Sequence, residues 1–367
     1  MQIHVFIAHM GIGGAERVCV NLANEWARSG HEVHIVTLNL DGDINTQNLT
    51  DSVKVHTLGV SRLRYSMLPM WRYIRKNKPG FMLVFGNEMA IIIEKLRSLR
   101  LVNIPVVVRV LNNVNISLAK EDGISPAVEA YLKKAQKNLT KMDHVVAQCE
   151  AMGTQLTDRG LASKDRLSVI YNPVSRDLCN KVISLRASAQ GRDKKEITFI
   201  GRIDPQKNPM DLLKAFAKVH NDDPDTVLRF VGGGVLTEAV SNEAKVLGVD
   251  GSVIFDGIRS DMENIYASSD VVALSSDYEG MPNCLIEAIG CGIPIVSYDC
   301  PIGPAEIIED GVNGYLIHMG DVDALADGLK RALNKSWDRD AVIATCGKFD
   351  VEKIAAQYID IFGKIYG

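Results

Sequence analysis

Glu279 and Glu287 stand with seven residues between them in the run Ser-Ser-Asp-Tyr-Glu-Gly-Met-Pro-Asn-Cys-Leu-Ile-Glu over 275–287. The apolar run 271–274 ahead of them has strand length and composition. Pro282 suits the first position of a helix, where its missing N–H costs nothing. A helix starting there leaves the backbone N–H groups of Met281, Asn283 and Cys284 to an anion, with the helix dipole behind them. Glu279 then precedes the helix and Glu287 lies about a turn and a half inside it. Two carboxylates at different levels can accept hydrogen bonds from hydroxyls, one from a hexose and one from a ribose. Taken singly each would be a surface charge; spacing, turn and strand context together point to a site.

Those residues need a scaffold, and the chain supplies one. Short β-branched runs alternate with helical patterns along its length, which predicts parallel sheets covered by helices. The run 3–8 leads into an amphipathic stretch over 14–28, with Val18, Leu22 and Trp26 at helical spacing, and Gly30 closes it. Strand-like runs follow at 31–37, 82–85, 104–108, 144–148 and 167–170. Tyr171-Asn172-Pro173 ends this first unit, and 177–195 reads as polar and irregular. A second unit repeats the scheme at 196–201, 226–231, 252–255, 271–274, 293–297 and 314–317, and a final helix covers 351–365. Gly13 and Gly14 fall at the carboxyl end of the first strand, where α/β sheets bind ligands and missing Cβ atoms allow close approach.

The 367 residues suit two domains. With 46% hydrophobic and 23% charged residues the composition is that of a soluble enzyme. Residues 1–173 carry 21 Lys and Arg against 15 Asp and Glu, whereas 174–367 carry 20 against 30, so the halves expect different partners. Cys19, Cys149, Cys179, Cys284, Cys291, Cys300 and Cys346 form no C-x-x-C pair, so free thiols in a reducing compartment are expected. The start of the chain reads as a buried strand and not a leader, and no apolar run is long enough to span a membrane. The expected location is cytoplasmic.

The run 279–296, with its Glu279-(x7)-Glu287 spacing, resembles the paired-glutamate signature of retaining glycosyltransferase family 4. Gly201-Arg202-(x4)-Lys207 is similar to the family's G-R-(x4)-K segment, and Gly13-Gly14-Ala15-Glu16 resembles its glycine-rich first turn. The resemblance implies the GT-B architecture: two Rossmann-like α/β domains facing a central cleft, with the C-terminal helix crossing back to the first. Residues 1–173 with 351–367 would bind the acceptor, and 174–350 the nucleotide-sugar. Arg202 and Lys207 would hold the donor diphosphate, Glu279 the transferred hexose, and Glu287 the ribose, with Met281, Asn283, Cys284 and Gly14 also on the donor. Gly13 would lie on the acceptor side. Many relatives carry a His where this chain has Leu111; its part would pass to Asn112 or Asn113, or to His9, or vanish.

The implied activity is metal-independent transfer of a hexose or N-acetylhexosamine. The donor would be a nucleotide-sugar, UDP-linked, used as co-substrate with no further cofactor. The acceptor would be a saccharide, polyprenyl-diphosphate-linked, in bacterial surface-polysaccharide assembly. The segment 62–78 interleaves Arg62, Arg64, Arg72, Arg75, Lys76 and Lys78 with Tyr65, Met67, Leu68 and Trp71. With Lys133, Lys134, Lys137 and Lys141 it predicts a peripheral seat on an anionic membrane surface; no nucleic-acid partner is expected. An NAD-dependent oxidoreductase is excluded, because Glu16 replaces the third glycine and the second strand ends Thr37-Leu38-Asn39 without an acidic residue. Asp41-Gly42-Asp43 has the letters of a metal motif but reads as a turn. A sugar-nucleotide epimerase and a non-catalytic scaffold subunit are the remaining alternatives.

Overall fold

The computed structural model describes residues 1–111, 133–134, 136–188 and 194–366, and the chain divides into two compact units, Met1–Pro173 with Val351–Gly367, and Val174–Asp350. The first contains β1 (Gln2–Phe6), β2 (Glu32–Thr37), β3 (Lys54–Thr57), β4 (Met82–Phe85), β5 (Val106–Arg109), β6 (His144–Ala147) and β7 (Leu167–Val169). These pair in parallel in the order β3-β2-β1-β4-β5-β6-β7. The short β3, half-exposed and polar, carries no apolar run and is missing from the sequence reading.

The core of this unit joins β1 to two helices. Leu22, Ala23 and Trp26 of the helix Gly14–Arg28 pack with Ile354, Tyr358 and Phe362 of the terminal helix Val351–Tyr366. Trp26 Nε1 donates to the Ala355 carbonyl at 3.1 Å, and the Phe81 and Phe362 rings stack with centroids 4.1 Å apart. Each large apolar side chain so buried is worth about 1.5–3 kcal/mol, which ties the C-terminal segment to the first unit. Arg109, at the end of β5, is wholly buried; its guanidinium donates to Ile170 O, Asn172 Oδ1 and the Tyr358 hydroxyl. A buried cation needs such partners, and here they fasten the terminal helix to the sheet's carboxyl edge.

On the other side of the sheet three histidines sit in a row. The His4 and His34 rings stack at 4.4 Å and His34 and His56 at 5.2 Å, while His4 Nδ1 lies 2.9 Å from the Tyr73 hydroxyl. Burial, then repulsion from His34 and His56, pushes His4 down to about 4. His56 is lowered by burial and by His34, Lys54 and Lys76. A depressed histidine contributes stability above its unfolded value and loses it as pH falls toward the folded one. Acidification from about pH 7 to about pH 4.5 is therefore expected to lower the melting temperature. His4→Phe should reduce that drop, and an undiminished drop would remove the histidines as its cause.

The second unit has β8 (Lys195–Ile200), β9 (Thr226–Val231), β10 (Val253–Gly257), β11 (Val271–Leu274), β12 (Ile295–Tyr298) and β13 (Gly314–Ile317). They are parallel in the order β10-β9-β8-β11-β12-β13. The winding reverses between β8 and β11, and ligands of open α/β sheets bind outside the carboxyl ends of strands at such a point.

One segment corrects the sequence reading. Arg176–Ser188 is a helix, not an irregular polar stretch. Its apolar face is narrow: Cys179 and Val182 are its buried residues. Arg186 then donates to the carbonyls of Tyr266, Ala267 and Ser269, where the helix Met262–Ser268 ends. Tertiary capping of a neighbouring helix leaves no local periodicity to read.

Candidate functional site

The loops that follow β8 and β11 are adjacent because those strands are neighbours. In the first loop Asp204 caps a short turn, Pro205–Lys207, its carboxylate accepting the Lys207 N–H at 3.2 Å. Asn208 adopts the left-handed conformation (φ 43°), which asparagine tolerates, and hands the chain to the helix Pro209–Asp222. Ser275 Oγ donates to the carbonyls of Lys207 (3.1 Å) and Asn208 (2.8 Å). Asp277 N donates to Gln206 O at 2.9 Å, and Gln206 Nε2 donates to Tyr278 O at 3.0 Å. These bonds lace the two loops together.

The lacing places Lys207 Nζ 2.5 Å from Glu279 Oε1, with side-chain exposures of 14% and 7%. Burial alone would lower the Lys207 ammonium, but the Glu279 carboxylate outweighs it and holds Lys207 above its ordinary value. Two of the three residues expected to act on the donor's hexose and diphosphate, Glu279 and Lys207, thus meet as a buried ion pair. An ammonium has three N–H donors, so one can serve Glu279 while others remain for an anion. Arg202 differs. Its side chain is 69% exposed and pairs with Asp204 at 2.9 Å and Gln206 Oε1 at 2.7 Å. Such a surface pair is worth at most about 1 kcal/mol, so an anion could draw the guanidinium away at little cost.

Glu287 lies in the helix Asn283–Gly290, buried, with the Tyr266 hydroxyl donating to its Oε2 at 2.6 Å. The helix starts one residue later than its sequence suggests: Pro282 is the N-cap (φ −73°, ψ 104°) and Asn283 the first helical residue. The segment around 303 packs against this helix start. Gly303, at φ 100°, lets the chain press so closely that a Cβ there would stand 2.8 Å from Pro282 Cδ and 3.0 Å from Gly280 O. Met281 and Cys284 are buried and Asn283 is half-buried at this helix start. Burial pushes the Cys284 thiol up to about 12, so it stays protonated and acts by shape, not as a nucleophile.

In the first unit Gly14 opens its helix and Gly13 caps it in an extended conformation (φ −174°), which any residue could adopt. A Cβ on Gly13 would meet the end of the Glu16 side chain, whose carboxylate folds back over the first turn. Burial raises the pKa of Glu16, against a backbone hydrogen bond and the nearby charge of His9. His9 itself is exposed. Leu111 is half-buried, and its carbonyl accepts from Gln148 Nε2 at 2.7 Å. Asn112 and Asn113 lie outside the described residues. Asp43 of the Asp-Gly-Asp run accepts the N–H groups of Asn45 and Thr46, each at 3.0 Å, as a turn cap.

Sequence reasoning missed Ser276, Tyr266, Gly303 and Arg109. Ser276 stood three residues before Glu279 in the run already singled out. The other three act across long stretches of chain and gave no local signal.

Comparison with known proteins gives the site a context. Residues 12–178 match the sequence profile of Glycosyltransferase Family 4, and residues 183–346 that of Glycosyl transferases group 1. An uncharacterised glycosyltransferase of Haemophilus influenzae is 26% identical over 340 residues, covering 91% of this chain and 90% of its own. A Campylobacter jejuni enzyme is 26% identical over 389 residues, covering 100% of this chain and 99% of its own. It is named GalNAc-alpha-(1->4)-GalNAc-alpha-(1->3)-diNAcBac-PP-undecaprenol alpha-1,4-N-acetyl-D-galactosaminyltransferase. The structure of Anabaena HepE in complex with UDP and glucose superposes with a TM-score of 0.79 at 20% identity, covering 99% of this chain and 100% of that one. The two parallel-sheet α/β units thus have the GT-B architecture. The chain pairs a Glycosyltransferase Family 4 domain with a Glycosyl transferases group 1 domain.

Proposed function

We propose that this protein is a retaining glycosyltransferase that moves a hexose or N-acetylhexosamine from a UDP-sugar to a saccharide borne on polyprenyl diphosphate, without a metal ion or further cofactor. The observation that carries the reading is the buried Lys207–Glu279 pair at the switch point of the second sheet. The name of the Campylobacter relative supports the acceptor class, and the UDP and glucose bound to HepE support the donor. Glu279 would accept hydrogen bonds from the hexose and Glu287 from the ribose. Arg202, Lys207 and the helix start at Asn283 would face the diphosphate, and the described acceptor-side residues Gly13 and His9 the first unit's substrate. The acceptor hydroxyl oxygen attacks the anomeric carbon on the face from which the diphosphate departs. The donor phosphate oxygen takes the proton, and UDP leaves with the bonding pair. Preorganised cations stabilise the charge that grows on it.

The test is turnover of a UDP-sugar panel with and without a lipid-linked saccharide, with and without chelator. The expected product is the acceptor extended by one sugar with retained anomeric configuration, at rates unaffected by chelation. A large loss restored by Mn²⁺ would overturn metal independence. Isomerised donor without acceptor would favour the epimerase.

The same reading includes a peripheral seat on the inner face of the cell membrane. No helix among the described residues is long and apolar enough to cross a membrane. The helix Met67–Asn77 buries Met70 and Ile74, and leaves Arg72, Arg75 and Lys76 exposed. Beside them Tyr65 and Leu68 are 55% and 49% exposed, and the Arg75 guanidinium lies 5.1 Å from the Trp71 ring centre. Each basic residue near an anionic surface is worth about 1 kcal/mol. Reversing Arg72, Arg75 and Lys76 to Glu should abolish co-sedimentation with anionic vesicles and leave activity on a soluble acceptor. Unchanged sedimentation would make this an ordinary solvated face.

A further inference from the structure

We infer that Ser276 is a positioning residue that fixes which oxygen of Glu279 meets the sugar, an inference that rests on the catalytic reading of Glu279 above. Glu279 Oε1 receives two donors: Ser276 Oγ at 2.6 Å and Lys207 Nζ at 2.5 Å. An ionised carboxyl oxygen offers two lone-pair sites, so Oε1 is saturated by the protein. Oε2 is the atom left to accept a substrate hydroxyl.

The two donors do different work. Lys207 supplies charge, but it rides on a long stem and is also the candidate partner of the diphosphate. Ser276 is buried, short and rigidly placed: its neighbour Ser275 is pinned to the Lys207 and Asn208 carbonyls, directly after β11. Its single hydroxyl proton is committed to Glu279. When a diphosphate draws on Lys207, the Ser276 bond is what keeps the carboxylate from rotating. A displacement of an ångström at a reacting group can cost about 10²-fold in rate, so the loss of one such bond has kinetic consequences.

Glu287 shows that the arrangement is not a by-product of burial. It also receives a neutral hydroxyl, from Tyr266, but by a side chain from another helix. Ser276 and Glu279 share one loop, so the serine sets the geometry locally.

The experiment is a double-mutant cycle on the full chain with kinetics in saturating acceptor. Ser276→Ala is expected to lower kcat about tenfold, the lower end for a charge-assisted hydrogen bond, with donor KM changed less than about twofold. In a Glu279→Gln background the same change should cost almost nothing further, because the serine acts through that carboxylate. Ser276→Thr, which keeps the hydroxyl, should recover most of the rate. Unchanged kcat in Ser276→Ala overturns the inference and leaves the catalytic reading standing, as does a full additional loss in the Glu279→Gln background. A threonine variant as slow as the alanine one, at native melting temperature, also overturns it. Normal kcat in Glu279→Gln overturns both readings together.

Discussion

Lys207→Ala is expected to lower kcat by roughly 10²–10³, by analogy with removing one donor from a preorganised anion site. If Lys207 faces the diphosphate, its contribution grows as the leaving group gathers charge, so kcat should fall more than donor affinity. The structure adds a second reason for a large effect. Glu279 would be left buried beside the site without its 2.5 Å partner, and its charge would oppose the incoming diphosphate. Removing one member of a buried pair also destabilises, by about 3–5 kcal/mol where burial is complete and less here because Lys207 keeps 14% exposure. Kinetics must therefore be measured well below the variant's melting temperature. Lys207→Arg should recover only part of the rate, because a planar fork cannot replace a compact ammonium in a space fitted to it. Arg202→Ala should fall in the same direction, and the double variant short of the product, since both cations act on one charge. Normal kcat in Lys207→Ala, with native circular dichroism, would remove the strongest support for the assigned chemistry.

Much of this site was legible because it is written in consecutive residues. The Glu279-(x7)-Glu287 run, the Gly201-Arg202-(x4)-Lys207 loop and the strand–helix alternation each have a local physical signal, and the family match follows from them. Sequence could not show that Lys207 meets Glu279. That meeting depends on β8 and β11 being neighbours in the sheet, although 71 residues of chain separate the two side chains' positions. Nor could sequence show that Pro282 is the N-cap and not the first helical residue, or that Gly303 packs closely against it. Sequence also could not show that the Glu16 carboxylate folds back to within reach of a Cβ on Gly13. The helix Arg176–Ser188 was missed because two buried residues and an arginine capping another helix do not make an amphipathic pattern.

The two glutamates should separate kinetically. Glu287 is buried in a helix and held by Tyr266, so it is a fixed acceptor whose contacts to a ribose would be alike in ground and transition states. Removing such uniform binding raises KM and spares kcat. Glu287→Ala is therefore expected mainly to raise donor KM, and Tyr266→Phe to do the same more weakly by freeing one carboxylate oxygen. Because a buried vacancy also costs stability, Glu287→Gln is the cleaner comparison, keeping the volume while changing the charge. On the proposed reading Glu279 would stand beside the anomeric carbon, where positive charge develops as the diphosphate leaves. A carboxylate already oriented by Ser276 and Lys207 contributes most at that moment, so Glu279→Ala should mainly lower kcat. The loss should rival that of Lys207→Ala, roughly 10²-fold or more, since the two residues form one unit. Steady-state kinetics with varied donor at saturating acceptor resolve the two effects. An equal pattern in both variants, whether in KM or in kcat, would show that the carboxylates share one task and end the division proposed for them.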